Sequence, residues 1–498
     1  MKKKKHSQKL IPAKQTTRII NSYAQHGASI VKKSLAAWFA PAGDADRDIL
    51  DSLPRLRNRS RDLYMGSPIA CAALKSIRSN VIGSGLRMNS NLNPTALGLT
   101  PEQADAKEQE IEAEFALWAE FCDARKQLDF YSLQGLAFLS ALMSGDCFVS
   151  LPYRKGIRSP YSLKLQLIEG DCICNPLTGL SKNILEGVEL DKFGAIAAYW
   201  LCSRHPAGFY RGGELPPLKW SRIEPYGRLT GRRQILHIFG DIERPGQRRG
   251  VPLLAPVIET LKQLTRYTEA ELVAAVVAGM YTVFVKSDTP SQVMVGAMPP
   301  PGGGGMVSDP DRDIALGNGS VVGLLPNESI ETANPGRPNA NFGTFCTNLY
   351  EILGSALELP REVFLKSFDA SYSASRGALL EAWKAFFMRR NWFVRAFCQP
   401  IYEEFLAEAV ALGRLNLPGY FEDPRKKLLW ASAIWTGPTQ GQLDPLKEAN
   451  AAAVRVAQGF STRTKEASDL SGLKFDDIAI LRQREEQQMA AFSREEQQ

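Results

Sequence analysis

A long segment without helical pattern separates two predicted apolar helices and constrains how the second half of this chain folds; we call this segment the long interruption. Residues 287–320, SDTPSQVMVGAMPPPGGGGMVSDPDRDIALGNGS, are rich in proline and glycine and show no apolar periodicity, so they form a loop or a small excursion. Helical patterns are predicted on both sides, over residues 252–280 and 341–358. A short loop and a very long helix, from about residue 373 past 397, come next. The chain therefore leaves one helix and returns through another.

The first half combines helical patterns with a strand-rich region. A helix is predicted over residues 101–122, with Thr100 as its N-cap and Pro101 at its first position. A second helix is predicted over residues 130–144. The stretch GDCFVSLPY then begins a β-rich region that continues to about residue 240. With the helical second half, these patterns predict an α+β fold.

Positive charge is concentrated at the N-terminus. The 498 residues carry a formal net charge of +7, whereas residues 1–60 hold 13 Lys and Arg against 4 Asp, a net of +9. The body is therefore near neutral, and residues 1–54 are interpreted as a partly disordered basic arm. Such an arm either contacts nucleic acid or an acidic partner, or is a solvated tail. No apolar core follows its lysines, as a signal peptide requires.

The longest apolar run is shorter than a membrane span. Residues 272–285, LVAAVVAGMYTVFV, number 14, whereas a spanning helix needs ~20. We predict a buried helix that passes into a strand, and no membrane association.

Few residues suit a catalytic or metal centre. The eight cysteines are scattered, and Cys172 and Cys174 form a C-x-C without a second cysteine pair at zinc-finger spacing. They are predicted to be reduced core residues. Only four histidines are present, and no G-x-S-x-G, H-E-x-x-H or Walker A pattern occurs. The sequence therefore predicts no metal, no cofactor and no enzymatic activity.

A serine-rich stretch, SFDASYSASRGALLEAW, precedes and enters the very long helix at residues 367–383. Its serines lack a histidine base, so nucleophilic catalysis is not expected. Ser371 or Ser373 is expected to cap the helix, and Ser373 is taken as the cap. The small residues before it predict a mobile loop.

Several motifs together resemble the portal proteins of lambda-type tailed phages. In chain order they are RSRDLYMGSPIACAALKSIRSNVIGSGLRM, LQLIEGDCI, RQILHIFGDIERPGQRRGVPLLAPVI, LPREVFLKSFDASYSASRGALLEAWKAF and LDPLKEANAAAVRVAQG. The resemblance covers residues 55–460.

The resemblance implies a portal fold, assembled as a ring of probably twelve subunits. The implied parts are an α+β wing (55–250), a first stem helix (251–285), a small α/β clip (286–340), a second stem helix (341–359), a tunnel loop (360–373), a long wing helix with its following segment (374–430), and a helical crown with a polar tail (431–498).

The resemblance also implies a function and partners. Double-stranded DNA would be packaged and ejected through the ring at one capsid vertex. The partners would be the large terminase, a head-tail adaptor, and the major capsid and scaffold proteins. The protein would belong to the virion and, during assembly, to the host cytoplasm. The implied DNA-channel residues are Lys366, Ser367, Asp369, Ser371 and Ser373. The implied docking residues for motor and adaptor are Pro299, Pro300, Pro301, Gly302, Gly303, Gly304 and Gly305.

Two other functions stay open at this point. A phage-encoded hydrolase or nuclease with an unrecognised site would need carboxylates or histidines that converge in space. A DNA-binding module that uses the basic arm would bind DNA with a steep salt dependence.

Overall fold

The computed structural model describes residues 26–156, 159–177, 183–208, 217–240, 242–279, 283–287, 328–332, 341–368, 371–441, 444–473 and 475–495. Within these residues no helix has both the length and the apolar character that crossing a bilayer requires.

Helices occur along the whole described chain. Those before the long interruption are α1 (Ala45–Leu50), α2 (Leu53–Gly66), α3 (Pro68–Val81), α4 (Pro94–Leu97), α5 (Pro101–Glu120), α6 (Phe130–Ser144) and α7 (Ile258–Gly279). Those after it are α8 (Phe342–Ala356), α9 (Arg361–Leu365), α10 (Tyr372–Phe393), α11 (Gln399–Ala411), α12 (Pro424–Trp430), α13 (Pro445–Ala457), α14 (Arg463–Ser471) and α15 (Phe475–Glu495).

The strands are short and pair antiparallel. They are β1 (Arg87–Ser90), β2 (Asp146–Ser150), β3 (Gln166–Glu169), β4 (Ile184–Leu185), β5 (Val188–Leu190), β6 (Ile196–Cys202), β7 (Trp220–Ile223), β8 (Ile235–Phe239), β9 (Val283–Ser287), β10 (Glu328–Thr332) and β11 (Ala433–Thr436). β2 lies between β3 and β8, and β4 to β7 form a second sheet in chain order. β9 pairs with β10, and β1 pairs with β11. Mixed helices and small sheets confirm the predicted α+β class.

The main core is centred on aromatic rings from distant parts of the chain. The ring of Phe115 on α5 has its centroid 5.2–6.0 Å from the centroids of five others. These five are Trp118, Phe130, Tyr402, Phe405 and Trp435. The core therefore joins the helices of the first half to α11 and β11.

Capping residues and apolar periodicity in the first half of the sequence predicted α5 and α6 correctly. Thr100 caps α5, and Gln103 completes a capping box with it, so two backbone N–H groups at the helix start are satisfied. The helix predicted over 130–144 is α6, with Asp129 as its cap. The β-rich region after Gly145 is also confirmed.

The predicted long helix is confirmed and is longer than expected. α10 passes through a π-helical turn, Val394–Cys398, into α11, so helical backbone runs from Tyr372 to Ala411. Trp383, Phe386 and Phe393 are buried, whereas Phe387 on the same helix is 48% exposed.

Three boundaries differ from the sequence-based expectation. The helix expected from residue 252 begins at Ile258, after a 3₁₀ turn at Ala255–Val257. The apolar run at 272–285 does pass from helix to strand, but Leu272 is 67% exposed in the single chain rather than buried. The helical region expected from residue 431 begins only at Pro445, because residues 433–436 form β11 against β1.

Candidate functional site

The serine-rich stretch begins in the connection between α9 and α10 and continues into α10. Lys366 ends α9 in the left-handed conformation (φ 55°), which turns the backbone away from the helix. Phe368, two residues later, is 52% exposed. We refer to residues 366–376 as the loop segment.

The cap of α10 is Ser371 and not Ser373. The backbone N–H of Ala374 donates a hydrogen bond to Ser371 Oγ at 3.4 Å, and the backbone of Ser371 is extended. Ser373 lies one position inside the first turn and is exposed. The expectation for Ser373 is therefore wrong, because the extended backbone that a cap requires occurs at Ser371.

The remaining predicted site residues divide into two groups. Lys366 and Ser367 lie in the described part of the loop segment, beside Ser371 and Ser373 in sequence. Asp369 lies outside the described residues, as do all seven predicted docking residues, Pro299 to Gly305.

The start of α10 contacts the N-terminus of α13. Lys447 Nζ lies 6.0 Å from the centroid of the Tyr372 ring, and Arg376 Nη1 donates a hydrogen bond to Tyr372 Oη at 3.4 Å. Hydrogen bonds from the Lys447 side chain and backbone lower the pKa of Asp444, and the charge of Arg376 adds to this effect. Tyr372 and Arg376, in the last part of the loop segment, thus form a surface cluster of charged and aromatic side chains with Asp444 and Lys447.

α7 and α8 pack against each other through aromatic rings. The Tyr267 ring on α7 has its centroid 5.6 Å from that of Phe342 and 5.2 Å from that of Phe345 on α8. Leu264 and Leu353 are buried on the same two helices. This contact explains why the two helices lie side by side although they are separated by the long interruption.

Other apolar residues of the same two helices face solvent. Leu272, Val273 and Val276 on α7 are 67%, 61% and 52% exposed, and Ile352 on α8 is 61% exposed. We call these four residues the apolar stripe. Leu272, Val273 and Val276 lie within five positions of one helix, and clustered exposed apolar side chains of this kind are typical of contacts with other proteins, because leaving them in water is unfavourable.

A buried cluster of charges joins α2, β2, β8 and the segment between β8 and α7. Arg249 Nε lies 2.6 Å from Asp146 Oδ2, and Arg57 Nη2 lies 2.8 Å from Asp146 Oδ1. His237 Nε2 is 3.2 Å from Asp146 Oδ2. All four side chains are at most 3% exposed. A Cβ at Gly170 would overlap Asp146 Oδ1, so only glycine leaves room for the carboxylate there.

The charges in this cluster compensate one another. Burial opposes ionisation of Asp146, but Arg249, Arg57 and the hydrogen bond from His237 hold its pKa well below the usual range. Burial lowers the pKa of His237, which keeps the imidazole neutral near pH 7. Arg249 also donates hydrogen bonds to the carbonyl oxygens of Gly170 (2.6 Å) and Ile173 (2.9 Å).

The cluster contains an aspartate and a histidine of the kind that form catalytic pairs, but solvent does not reach them. Asp146 and His237 are within hydrogen-bonding distance, and both are sealed from solvent, so no substrate can reach them in this conformation. The sequence analysis missed this cluster. Its residues come from four separate segments, and the one local sign is a glycine–aspartate pair at the start of β2.

Comparisons with known proteins match most of the chain. A sequence model of the family "Phage portal protein, lambda family" matches residues 32–390. Portal protein B of Escherichia phage lambda is 24% identical over 470 residues, which cover 89% of this chain and 85% of that protein. The portal protein of Escherichia phage N15 is 25% identical, with 87% and 84% covered. A probable portal protein of Halomonas phage phiHAP-1 is also 25% identical, with 88% and 80% covered.

Solved structures of gene transfer agent particles are also similar to the chain. A chain in the neck of the empty particle has a TM-score of 0.44 and 13% identity, over 83% of this chain and 92% of that one. A chain in the neck of the native particle, computed with C12 symmetry, has a TM-score of 0.43 and 12% identity, over 88% and 97%.

Proposed function

Because the chain belongs to the lambda family of phage portal proteins, we propose that its copies form a closed ring at one vertex of a phage capsid, through which double-stranded DNA is packaged and ejected. The observation that carries this proposal is the family match over residues 32–390, together with portal relatives that the chain covers over 80–85% of their length. The role is structural rather than enzymatic.

The apolar stripe supports assembly into a ring. A head-to-tail contact buries one surface of each subunit against a different surface of the next, and such contacts close into a ring when the rotation fits. In the proposed ring of twelve, α7 and α8 are the stem helices, and the stripe packs against the neighbouring subunit. We propose the wing, clip and crown with the bounds that the resemblance implies, and β11, at the start of the crown region, pairs with β1 of the wing.

The loop segment is the proposed lining of the channel. Lys366, Ser367, Asp369, Ser371 and Ser373 would face DNA as it passes. Each phosphate that a cation neutralises strengthens binding, so a lining dominated by serine hydroxyls lets DNA slide. Lys366 and Arg376 are the exposed cations of the segment, and Arg376 hydrogen bonds to Tyr372.

The docking partners are proposed for the clip. Residues 299–305 would contact the large terminase during packaging and the head-tail adaptor afterwards. The ring would meet the major capsid and scaffold proteins during assembly in the host cytoplasm, and would remain in the virion.

Electron microscopy of the purified full chain tests the ring directly. We expect closed rings with a central hole wide enough for duplex DNA, and native mass spectrometry should give a single high-order oligomer. Monomers or dimers alone, at every salt and magnesium concentration tried, would refute the proposal.

A further inference from the structure

Strand β8 lies at the end of its sheet, so one of its edges has no neighbour among the described strands. The strand order is β3, β2, β8. The backbone N–H of Leu151 donates to the carbonyl oxygen of Gln234 at 2.9 Å, and the residues that bond the neighbouring strand alternate along an antiparallel pair. Ile235 and His237, at the alternate positions, therefore direct their backbone N–H and C=O groups away from β2.

His237 is the residue of this edge whose backbone is open. Its side chain is 3% exposed, but the residue as a whole is partly exposed, so the exposed atoms belong to the backbone. Ile235, in contrast, is only 2% exposed. Within the described part of the chain, the backbone N–H and C=O of His237 have no hydrogen-bond partner. The next carbonyl oxygen along this edge, that of Phe239, already accepts a hydrogen bond from Trp392 Nε1 at 3.0 Å.

A cleft of about 350 Å³ includes this edge of β8 in its lining. The lining also contains Arg395, Ala396 and Pro400, which belong to the π-helical turn and the first residues of α11. The volume is within the range of ligand pockets in proteins, and π-helical turns often occur at functional sites. We call this space the edge cleft.

Two guanidinium groups line the edge cleft without a carboxylate partner. Arg233 lies over the ring of Tyr226, 4.9 Å from its centroid, and Arg395 is exposed in the π-helical turn. Among the residues that the structure describes, neither guanidinium forms an ion pair, and the lining contains no aspartate or glutamate. Glu404 accepts a hydrogen bond from the backbone N–H of Arg233 and lies 3.8 Å from Arg232, outside the lining. The edge cleft is therefore positively charged.

We propose that the edge cleft binds a short, extended, acidic segment of a partner protein. The segment pairs through its backbone with the N–H and C=O of His237, and a carboxylate of the segment binds Arg233 and Arg395. A free strand edge is a template for pairing with another chain, and guanidinium groups form strong, charge-assisted hydrogen bonds with carboxylates. Phe239 and Pro400 supply apolar contacts beside these polar groups.

The same features favour a peptide over nucleic acid. A phosphodiester chain contains no N–H group that can donate to the carbonyl oxygen of His237, whereas each peptide unit offers both a donor and an acceptor. Tight binding of duplex DNA uses many cations that follow the phosphates, and the lining holds two, among apolar side chains such as Ile196 and Ile235.

Binding of a defined peptide to the full chain tests the proposal. The probe is a fluorescein-labelled hexapeptide of alternating valine and glutamate, and fluorescence anisotropy should show saturable binding. Glutamine in place of glutamate should weaken binding, and full N-methylation of the peptide backbone should abolish it. Arg395→Gln should weaken binding about tenfold, because a charge-assisted contact is lost. Arg425→Gln, at an exposed position on α12, should bind as the unmodified chain does.

The unmodified chain provides a readout that does not depend on how a variant folds. Hydrogen–deuterium exchange should show a rapidly exchanging amide at His237 that becomes protected when the peptide binds. The amides of Leu236 and Ile238, which face β2, should exchange slowly with and without peptide. Four results would each overturn the proposal: no saturable binding, equal binding of the N-methylated peptide, an unchanged His237 amide, or displacement of the peptide by a short DNA duplex whose own binding Arg395→Gln weakens equally.

Discussion

A single aspartate in the apolar stripe should weaken ring assembly without unfolding the subunit. Leu272 is 67% exposed in the single chain, so a neighbouring subunit can bury about two-thirds of its side chain. Full burial of a leucine contributes about 1.5–3 kcal/mol, which gives about 1–2 kcal/mol for Leu272 at each subunit contact. In Leu272→Asp this contribution is lost, and an unpaired carboxylate must in addition be desolvated at the contact.

The expected loss of ring assembly is large because the substitution is present at every subunit contact of the ring. A loss of about 1.4 kcal/mol lowers an association constant tenfold, and every contact of the ring carries the same loss. Mass photometry of Leu272→Asp should therefore show mostly monomers at concentrations where the unmodified chain forms rings. Circular dichroism and thermal unfolding should show a normally folded subunit, because the side chain makes few contacts within its own chain.

Leu428→Asp is the matched control, because Leu428 on α12 is 68% exposed and lies outside α7 and α8. It should form rings at the normal concentration. If Leu272→Asp assembles as readily as this control, the apolar stripe is not a subunit contact and the reasoning fails.

Three further predictions concern the buried charges and the loop segment. Asp146→Asn leaves two buried guanidinium groups without their counter-ion and should cost about 3–5 kcal/mol of unfolding free energy at pH 7, measured with denaturant. The folded-state pKa of Asp146 is depressed, so the ionised carboxylate stabilises the fold above the ordinary pKa of 3.8, and this stabilisation is lost as the pH falls through the folded-state pKa. The difference in unfolding free energy between the unmodified chain and Asp146→Asn should therefore shrink below pH 3.8. A difference that stays constant with pH would contradict the assignment. Ser371→Ala should cost about 1 kcal/mol in thermal unfolding, whereas Ser373→Ala should stay within about 0.5 kcal/mol, and equal costs would contradict the cap. Ser367→Lys should slow DNA packaging, most strongly at low salt, while Thr95→Lys on exposed α4 should package normally; unchanged packaging by the loop variant would place the loop segment away from DNA.

Local sequence patterns were sufficient where the determining contacts are local. The Thr100 cap, Pro101 and Gln103 act within one turn of α5, and they can be read directly from the sequence. The helix over 130–144 and the very long helix followed from apolar and aromatic periodicity. The motif series also identified the family over most of the chain, since motif order survives when identity is as low as 24–25%.

Tertiary structure decided the features that depend on distant residues. Ser371 and Ser373 are equivalent caps in sequence, and the backbone conformation after α9 selects the first. β11 was read as part of a helical region because its partner, β1, lies more than 340 residues earlier in the chain. A four-residue strand carries little signal of its own, and its pairing partner fixes its conformation.

The same distinction explains the buried charges. Arg57 and Arg249 meet Asp146 across separations of 89 and 103 residues, and none of the three has a local pattern that predicts burial. Periodicity and caps depend on free energy gained within a few residues, whereas burial of a charge is stabilised only when the whole core has formed.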